Sequence, residues 1–555
     1  MRARTWVVTV AAGLVLADAS IVTLALPQLL RALGTTVEGV AALIAVYTLA
    51  LAAALLPAER LVRRCGPERV AAWGFALFAF ASAACAAAGS LPVLLVARAV
   101  QALGGAAGIV AAFVLIAGGT RAGRRHWLGA AVLASAAGPA VGGALTQAFD
   151  WRAIFVVQIP IAAAAALAAL RDAPEPAITP VVEDVQEPPG ARVADATALA
   201  LVSASLTAVL FGLVLLLIAG WAVEPLAAAA TVTVLPLAAL AGARVRAAPR
   251  TRALAGSLLV GGGVLALAWL PSASVAWTFA PQALAGIGMG MALPAFAGEL
   301  LPERSAREAA RLLTVRHVGI ALVLIALAPL LAHRLAIVTE RTQEQGVALV
   351  LDARLPPQDK LTLAPALLGG VQAERPRVGL RQALADHGSG YAGTERVAYG
   401  RLAQRADAVL VSAVGDAFRI AFILAGVLAL LGAAALLVGS GDGPALGRPA
   451  PLALLVALVA GLPLAYAALH AADAPQAVVL ANPCNPRKLP STGGFTGFLQ
   501  DRALQALDAA ACRLRSSREE LVLALADARA AKRFEQRHGV DPRSVGSLLQ
   551  GLISP

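Results

Sequence analysis

The sequence predicts an all-α protein that crosses a membrane many times. Hydrophobic residues make up 59% of its 555 residues and charged residues only 14%, and the mean hydropathy is +0.76. A soluble protein of this size needs far more polar surface. Apolar stretches of roughly 20 residues, the length of a helix that crosses a bilayer, recur along the chain.

Six such stretches come first, each long enough for one spanning helix. We place them at 5–26, 37–57, 70–89, 92–117, 127–148 and 152–170. The first stretch follows Arg2 and Arg4, as a signal peptide would. Asp18 in its middle and the many spans after it instead favour a retained transmembrane helix.

A polar stretch rich in proline and acidic residues, 171–195, then reads as a solvated cytoplasmic linker. Beyond it, six more spans are predicted at 196–219, 223–243, 253–270, 274–298, 311–334 and 415–438. This arrangement predicts two six-helix bundles, 1–170 and 196–440, related by a repeat as in many secondary transporters.

Two polar regions and one more apolar run complete the chain. Residues 335–412 form a long loop between the eleventh and twelfth spans. The run at 451–470 is long enough for an additional transmembrane helix, which would place both the loop and the tail, 471–555, outside the cytoplasm. If the run does not span, the tail is cytoplasmic. Ser517 to Glu520 matches a capping box that opens a tail helix ending near Gly539, and a short final helix is expected from Asp541.

The net charge of +12 comes mostly from arginine. The arginines concentrate in alternate loops, whereas the short loops near Gly89, Gly220 and Pro271 carry almost none. This is the positive-inside pattern, which predicts a multi-pass protein of the cell membrane with a cytoplasmic N-terminus and gives no support to nucleic-acid binding. The arginines concerned are Arg60, Arg63, Arg64, Arg69, Arg121, Arg124, Arg125, Arg244, Arg246, Arg250, Arg252, Arg304, Arg307 and Arg311.

Three ionisable residues in the predicted spans are candidates for proton coupling. Asp18 lies near the middle of the first span, where a carboxylate costs at least ~2.5 kcal/mol and usually faces a polar cavity. Arg98 is permanently charged and needs a buried counter-charge, either to tune an acid or as an anchor near a helix end. His317 titrates near neutral pH when unperturbed, although a histidine at a helix end more often makes a simple hydrogen bond.

Small residues and a proline are dense in the fifth span, at Gly138, Pro139, Gly142 and Gly143. In a bilayer this pattern is tolerated and lets another helix approach closely, so the segment predicts a bent, tightly packed helix that separates the two sides of the membrane. Ordinary small-residue packing without a gating role is the alternative.

Four segments of the first 170 residues resemble motifs of the major facilitator superfamily, in its drug:proton antiporter branch. They are Leu16 to Pro27, Arg98 to Gly105, Ala134 to Gly143 and Asp150 to Pro160, whose order and spacing match that family. The resemblance is weaker over 195–335. It ties the motif that begins at Arg98 to proton coupling, for which Asp18 and His317 are candidates from their chemistry alone. The resemblance also implies a substrate cavity and gate formed by Gln101, Gly104, Gly138, Pro139, Gly142, Gly143, Trp151, Arg152 and Gln158.

The loop between the second and third spans departs from the family pattern. Glu59 stands at an expected glycine and Arg63 at an expected aspartate, before Arg64 and Gly66. In the family that aspartate latches the cytoplasmic side, so here the latch is either lost or rebuilt with Glu59. Gln158 replaces the usual asparagine of the sixth span.

The resemblance implies a secondary transporter that exports apolar or amphipathic small molecules by alternating access. Its energy source would be the proton gradient, without a bound cofactor or metal, and its partners a small-molecule substrate and membrane lipid, as a monomer. The alternatives are an importer or lipid mover of the same fold, and a non-transporting platform or sensor that uses the loop and tail. An enzyme is not indicated, because the chain has no phosphate-binding G-x-x-x-x-G-K-[ST] loop and no zinc-type Cys/His spacing.

Two of the four cysteines lie in the predicted first bundle and two lie in the tail. Cys65 is predicted in a cytoplasmic loop and Cys85 within the third span, whereas Cys484 and Cys512 lie in the tail. An oxidising exterior would allow the tail pair to form a disulfide, and two unpaired thiols are the alternative.

Overall fold

The computed structural model describes residues 3–117, 127, 138–170, 189–301, 305–371, 376–438, 454–472, 478, 480–490 and 493–544. In these ranges the chain is helical, and twelve helices are long and apolar enough to span a membrane. The predicted all-α polytopic fold is therefore confirmed. The fifth predicted span is described only at Trp127 and at 138–148, where it is helical.

The first half of the membrane region contains six helices. They are α1 (Ala3–Ala32), α2 (Val37–Cys65), α3 (Pro67–Ala87), α4 (Leu91–Ala117), α5 (138–148) and α6 (Ala153–Leu170). A tight turn joins α2 to α3 because Gly66 takes φ +85°, a conformation that glycine adopts without strain, and Pro67 then begins α3.

Small residues set the spacing between α3 and α4. A Cβ added at Gly104 would lie 2.6 Å from the Phe78 amide nitrogen and 2.8 Å from the Gly74 carbonyl oxygen. A side chain at this position would force the two backbones apart, so the close packing of α3 and α4 depends on the glycines, as expected for helices in lipid.

The second half contains α7 (Pro189–Leu215), which ends in a π turn at Leu216–Gly220, then α8 (Pro225–Gly242), α9 (Pro249–Trp269), α10 (Val275–Phe296) and α11 (Ala306–Asp352). The loop after α11 holds α12 (Pro357–Val371) and α13 (Pro376–Gly388), and α14 (Gly393–Val438) returns to the membrane region. The extra apolar run forms α15 (Leu454–Ala472).

Side chains near the end of α15 bind it to the helices of the second half. The Tyr466 hydroxyl donates to the Trp277 carbonyl oxygen at 2.8 Å, and His470 Nδ1 lies 2.9 Å from the Leu270 carbonyl oxygen. Arg419 of α14 contacts His470 Nε2 at 2.8 Å. These contacts hold α15 against α9, α10 and α14.

The structure divides into two compact units, each described by itself. Unit 1 comprises Met1–Ile218, Val223–Ala332 and Phe418–Asp473, and holds the membrane-spanning segments predicted from the sequence. Unit 2 comprises Ala219–Ala222, His333–Ala417 and Ala474–Pro555. The long loop and the tail thus share one unit, while the division of the membrane region at 170 and 196 stays a prediction.

Helices rather than irregular loop fill most of the described part of unit 2. The 47-residue α11 and the 46-residue α14 continue well beyond their predicted spans. Val350, Leu402 and Leu410 of these helices pack with Leu363 and Leu380 of the loop helices in one buried cluster.

The tail contributes α16 (Gly494–Arg513), α17 (Arg518–Ala526) and α18 (Ala528–His538). The Ser517 cap and the Gly539 stop lie where the sequence predicts them. The predicted single helix is interrupted at Asp527, whose side chain accepts from the Ala530 amide and begins a new helix. Residues 541–544 form a turn, and the rest of the expected final helix lies outside the described residues.

Candidate functional site

A buried ion pair lies at the centre of the first half of unit 1. Arg98 Nη2 of α4 is 2.6 Å from Asp18 Oδ2 of α1, and both side chains are fully buried. Asp18 comes from the middle of one apolar helix and Arg98 from the first third of another. Each charge supplies the counter-charge that the other requires in a low-dielectric interior.

Three polar side chains extend the pair into a network across four helices. Gln158 Nε2 of α6 donates to Asp18 Oδ1 at 2.8 Å, and Gln101 Nε2 donates to Gln158 Oε1 at 2.7 Å. Arg98 Nη1 donates to Gln101 Oε1 at 2.6 Å, and Ser82 of α3 accepts from Gln101 at 2.8 Å. All five side chains are buried. Asp18 Oδ2 and Arg98 Nη2 have no hydrogen-bond partner among the described residues, so their contact is an ion pair.

Two aromatic rings enclose the guanidinium of Arg98. Its carbon lies 4.0 Å from the centroid of the Tyr47 ring and 5.6 Å from that of Phe155. The Tyr47 hydroxyl donates to the Val15 carbonyl oxygen at 3.2 Å, which fixes the ring beside α1. A desolvated cation over aromatic faces gains up to about 2 kcal/mol, so Arg98 has favourable partners besides Asp18.

Close approach to α1 and α8 explains the glycines of α5. A Cβ at Gly142 would lie 2.5 Å from the Ile21 carbonyl oxygen, and one at Gly138 would lie 2.1 Å from Ser20 Oγ. A Cβ at Gly143 would lie 2.2 Å from that of Ala229. Pro139 is buried, and 134–137, the start of the motif, lie outside the described residues.

The aromatic start of α6 is anchored to α3. Trp151 is buried with its ring edge-to-face against Phe155, and the Arg152 guanidinium lies 4.3 Å from the Trp151 ring centroid. Arg152 Nη2 also donates to the Ala88 carbonyl oxygen at the end of α3 at 3.3 Å. These contacts fix the helix that delivers Gln158 to Asp18.

The altered segment that the sequence placed in a loop is the last turns of α2, because that helix continues to Cys65, and it contains a local ion pair. Arg63 Nε is 2.7 Å from Glu59 Oε1 one turn earlier on the same helix, and the Glu59 side chain is only 5% exposed. Arg64 is exposed and Gly66 forms the turn. The carboxylate that accompanies Arg63 is therefore Glu59.

His317 does not join the network around Asp18. It is buried on α11, and its Nδ1 lies 2.7 Å from the Leu313 carbonyl oxygen of its own helix. Nearby, the Thr314 hydroxyl makes a 3.3 Å contact with the Ala52 carbonyl oxygen of α2. Because α11 begins at Ala306, His317 lies within the helix and not at its end, where the sequence placed it. The coupling role suggested by the sequence gains no contact with Asp18 or Arg98.

Sequence reasoning missed Tyr47 and Ser82 and did not assign Phe155 a role. Each is an ordinary residue of an apolar helix, and only the packing of α2, α3 and α6 brings it to Arg98 or Gln101. Among the residues that the structure describes, no group of three or more His, Cys, Asp or Glu side chains is arranged to hold a metal ion.

In the described residues, twelve helices long and apolar enough to span a membrane, with a buried charge pair among them, define a multi-pass membrane protein. The chain belongs to the Major Facilitator Superfamily, whose model matches residues 8–330. Solved structures agree on the fold. A bacterial homologue of the human lysosomal transporter Spinster, in an inward-facing and occupied conformation, aligns with a TM-score of 0.53 at 15% identity, over 78% of this chain and 96% of the other.

Drug-resistance proteins are among the similar curated sequences. The multidrug resistance protein Stp of Mycobacterium tuberculosis is 33% identical over 152 residues, 26% of this chain and 28% of Stp. The methylenomycin A resistance protein of Bacillus subtilis is 32% identical over 28% of this chain and 34% of its own length. The tetracenomycin C resistance and export protein of Streptomyces glaucescens is 33% identical over 31% of this chain and 33% of its own. The chain thus spans about a third of the length of these relatives.

Proposed function

We propose that the protein exports apolar or amphipathic small molecules in exchange for protons. The Asp18–Arg98 ion pair carries this proposal, because a fully buried carboxylate beside a permanent cation is costly to maintain without a use. The names of the resistance and export relatives support export as the direction. The substrate class follows from the alanine, leucine and valine that dominate the spans.

Protonation of Asp18 would be the coupling step. The proton removes the negative charge, so the attraction to Arg98 is lost, while Arg98 keeps Gln101 and the Tyr47 ring as partners. Gln158 can still donate to the uncharged Asp18 carbonyl oxygen. Release of this cross-link between α1 and α4 would then favour the other conformation of the two halves.

The α5 helix would seal one end of the pathway. The Gly143 backbone closely approaches Ala229, and Gln147 Oε1 accepts from the Leu226 amide at 2.7 Å, where α8 begins. With a cytoplasmic N-terminus, as the arginine distribution indicates, this end faces outside the cytoplasm. The proposed transporter works as a monomer in the cell membrane, uses the proton gradient and needs no bound cofactor.

Dissipation of an imposed pH gradient in everted vesicles tests the proposal. Lipophilic cations, antibiotics and fatty-acyl compounds are added to vesicles that contain the wild type, Asp18→Asn or Asp18→Glu. We expect substrate-dependent proton release from the wild type, partial release from Asp18→Glu and none from Asp18→Asn. Asp386→Asn, at an exposed carboxylate of α13, is the matched control and should behave as wild type. Unchanged release by a correctly inserted Asp18→Asn variant would rule out the assigned coupling residue.

A further inference from the structure

Three large apolar side chains project from one face of the tail helix α16. Phe495, Phe498 and Leu499 are 75%, 54% and 51% exposed, and their i, i+3 and i+4 spacing places them side by side. We call these three residues the apolar patch. The opposite face of α16 packs into unit 2 through Leu504 and Ala511.

The apolar patch is unusual within unit 2. In the described part of that unit, the other exposed large hydrophobic residues are Val378 and Val397, each alone on its own helix. Scattered apolar residues on a surface need no explanation, but a contiguous exposed group including two phenylalanines marks an interaction site. The question is therefore which surface covers it.

Positive charge flanks the apolar patch. Arg502, one turn after Phe498, is exposed and its guanidinium lies 5.4 Å from the Phe498 ring centroid. The exposed Lys488 lies on a segment that runs beside α16, because the Pro490 carbonyl accepts from Gln500 at 3.3 Å. Helices that lie in a membrane interface carry phenylalanine and leucine on the face that enters the lipid and lysine and arginine on the polar face. Arg502 supplies such a cation on the helix, and Lys488 supplies one on the neighbouring segment.

The negative charge next to the apolar patch is less exposed than the flanking cations. Asp501 is half-buried, whereas Arg502 and Lys488 are exposed. The exposed side of α16 therefore keeps a cationic character.

The chain itself keeps a bilayer within reach of α16. The membrane helix α15 ends at Ala472, and α16 begins 22 positions later at Gly494. A fully extended connection of this length reaches at most about 80 Å, so the chain tethers α16 to its own membrane helices and raises the effective concentration of lipid. A separate protein partner has no such advantage.

We propose that α16 lies on the bilayer surface, with the apolar patch inserted at the level of the lipid headgroups. Arg502 and Lys488 then face lipid phosphates, so the helix binds best to anionic lipid. The inference holds on either side of the membrane and does not depend on the transport activity proposed above.

Spin-label accessibility in nanodiscs tests this proposal with the full chain. Ala503, exposed on α16 beside the apolar patch, is changed to cysteine and labelled in a Cys65→Ser, Cys85→Ser background that keeps the Cys484–Cys512 disulfide. The ratio of oxygen to nickel-chelate accessibility reports whether the label lies in lipid. We expect the ratio to be at least threefold higher with the native patch than with Phe495→Ser, Phe498→Ser and Leu499→Ser combined.

Two comparisons complete the design. Val378→Ser with Val397→Ser, which removes exposed apolar groups elsewhere in unit 2, should leave the ratio unchanged. The nanodiscs contain the anionic lipid phosphatidylglycerol. Replacing it with phosphatidylcholine, or replacing Arg502 with glutamine, should lower the accessibility ratio. Equal ratios for the native and the serine-substituted patch would overturn the proposal. So would shielding from both reagents, which would mean that a second copy of the chain or residues 545–555 cover the patch.

Discussion

Burying Asp18 or Arg98 alone would destabilise the protein, and the contact between them offsets part of that cost. The attraction between two buried charges offsets the free energy lost on desolvation only if the charges are close and their other polar atoms are hydrogen-bonded. Here particular side chains make these contacts. Gln158 binds one carboxylate oxygen of Asp18, Arg98 approaches the other, and Gln101 binds both Arg98 and Gln158. Gln158, where the family has asparagine, supplies the longer side chain that makes this contact.

Arg98→Lys tests whether the fork of the guanidinium matters, since its two terminal nitrogens contact Asp18 and Gln101 separately. A lysine ammonium keeps the charge but cannot reproduce both contacts over the Tyr47 ring. We expect a loss of about 1–3 kcal/mol in stability and at least tenfold slower substrate-dependent proton release. Thermal unfolding in detergent and the vesicle assay measure the two effects. Arg401→Lys, on an exposed part of α14, is the control, and equal behaviour of the two variants would contradict the prediction.

At the scale of the helix, glycine determines which backbones meet. In lipid no hydrophobic force drives helices together, so close packing of small residues replaces it. Helix α5 touches α1 through Gly138 and Gly142 and α8 through Gly143. The sequence predicted that this segment would pack closely. It could not identify the partner helices, because the same small-residue spacing fits many neighbours.

Gly142→Ala is expected to separate α5 from α1. The new Cβ would lie 2.5 Å from the Ile21 carbonyl oxygen, which is backbone and cannot rotate away. We expect a lower unfolding temperature and slower transport. Gly400→Ala, on helix α14 with open space at its Cβ position, should instead be neutral or stabilising by up to about 1 kcal/mol. Similar results for both variants, measured by unfolding in detergent and by proton release, would show that the close contact is not required.

At the scale of the whole chain, the membrane helices were far more predictable than unit 2. Each spanning helix is predicted from about twenty consecutive apolar residues. The motifs also include Asp18, Arg98 and Gln158, which the structure brings into contact. Unit 2 is built from distant contacts that no local pattern encodes. Arg518 of the tail binds Asp352 at the end of α11 at 2.8 Å, and Val347 packs against Leu523. Even α11 and α14 were predicted too short, because their polar extensions resemble loop sequence.

Within the tail, the disulfide and the charged network reinforce each other. Cys484 and Cys512 are bonded, and three residues after Cys484, Arg487 binds Asp508 at 2.5 Å. The sequence left the alternative of two free thiols open, and the structure contains the bond. We expect Cys484→Ser to release the segment that carries Arg487, and hydrogen exchange at 484–490 should then rise while exchange in α13 stays constant. Exchange unchanged in both places would show that the ion pair holds the segment without the disulfide.

Arg518 is a buried residue of the tail that contacts the loop. It is fully buried, binds Asp352 and lies 2.9 Å from the buried carboxylate of Glu519. Replacing it with alanine leaves Glu519 with only the more distant Arg487, at 3.4 Å. Loss of one partner of a buried ion pair typically costs about 3–5 kcal/mol of stability. Here both the loop and the tail should be destabilised, because Arg518 contacts Asp352 in the loop and Glu519 in the tail. Hydrogen exchange should therefore rise at 340–352 of the loop as well as in α17, while Arg529→Ala, at an exposed site on α18, changes neither. A rise confined to α17 would mean that the loop helices are stable without the tail.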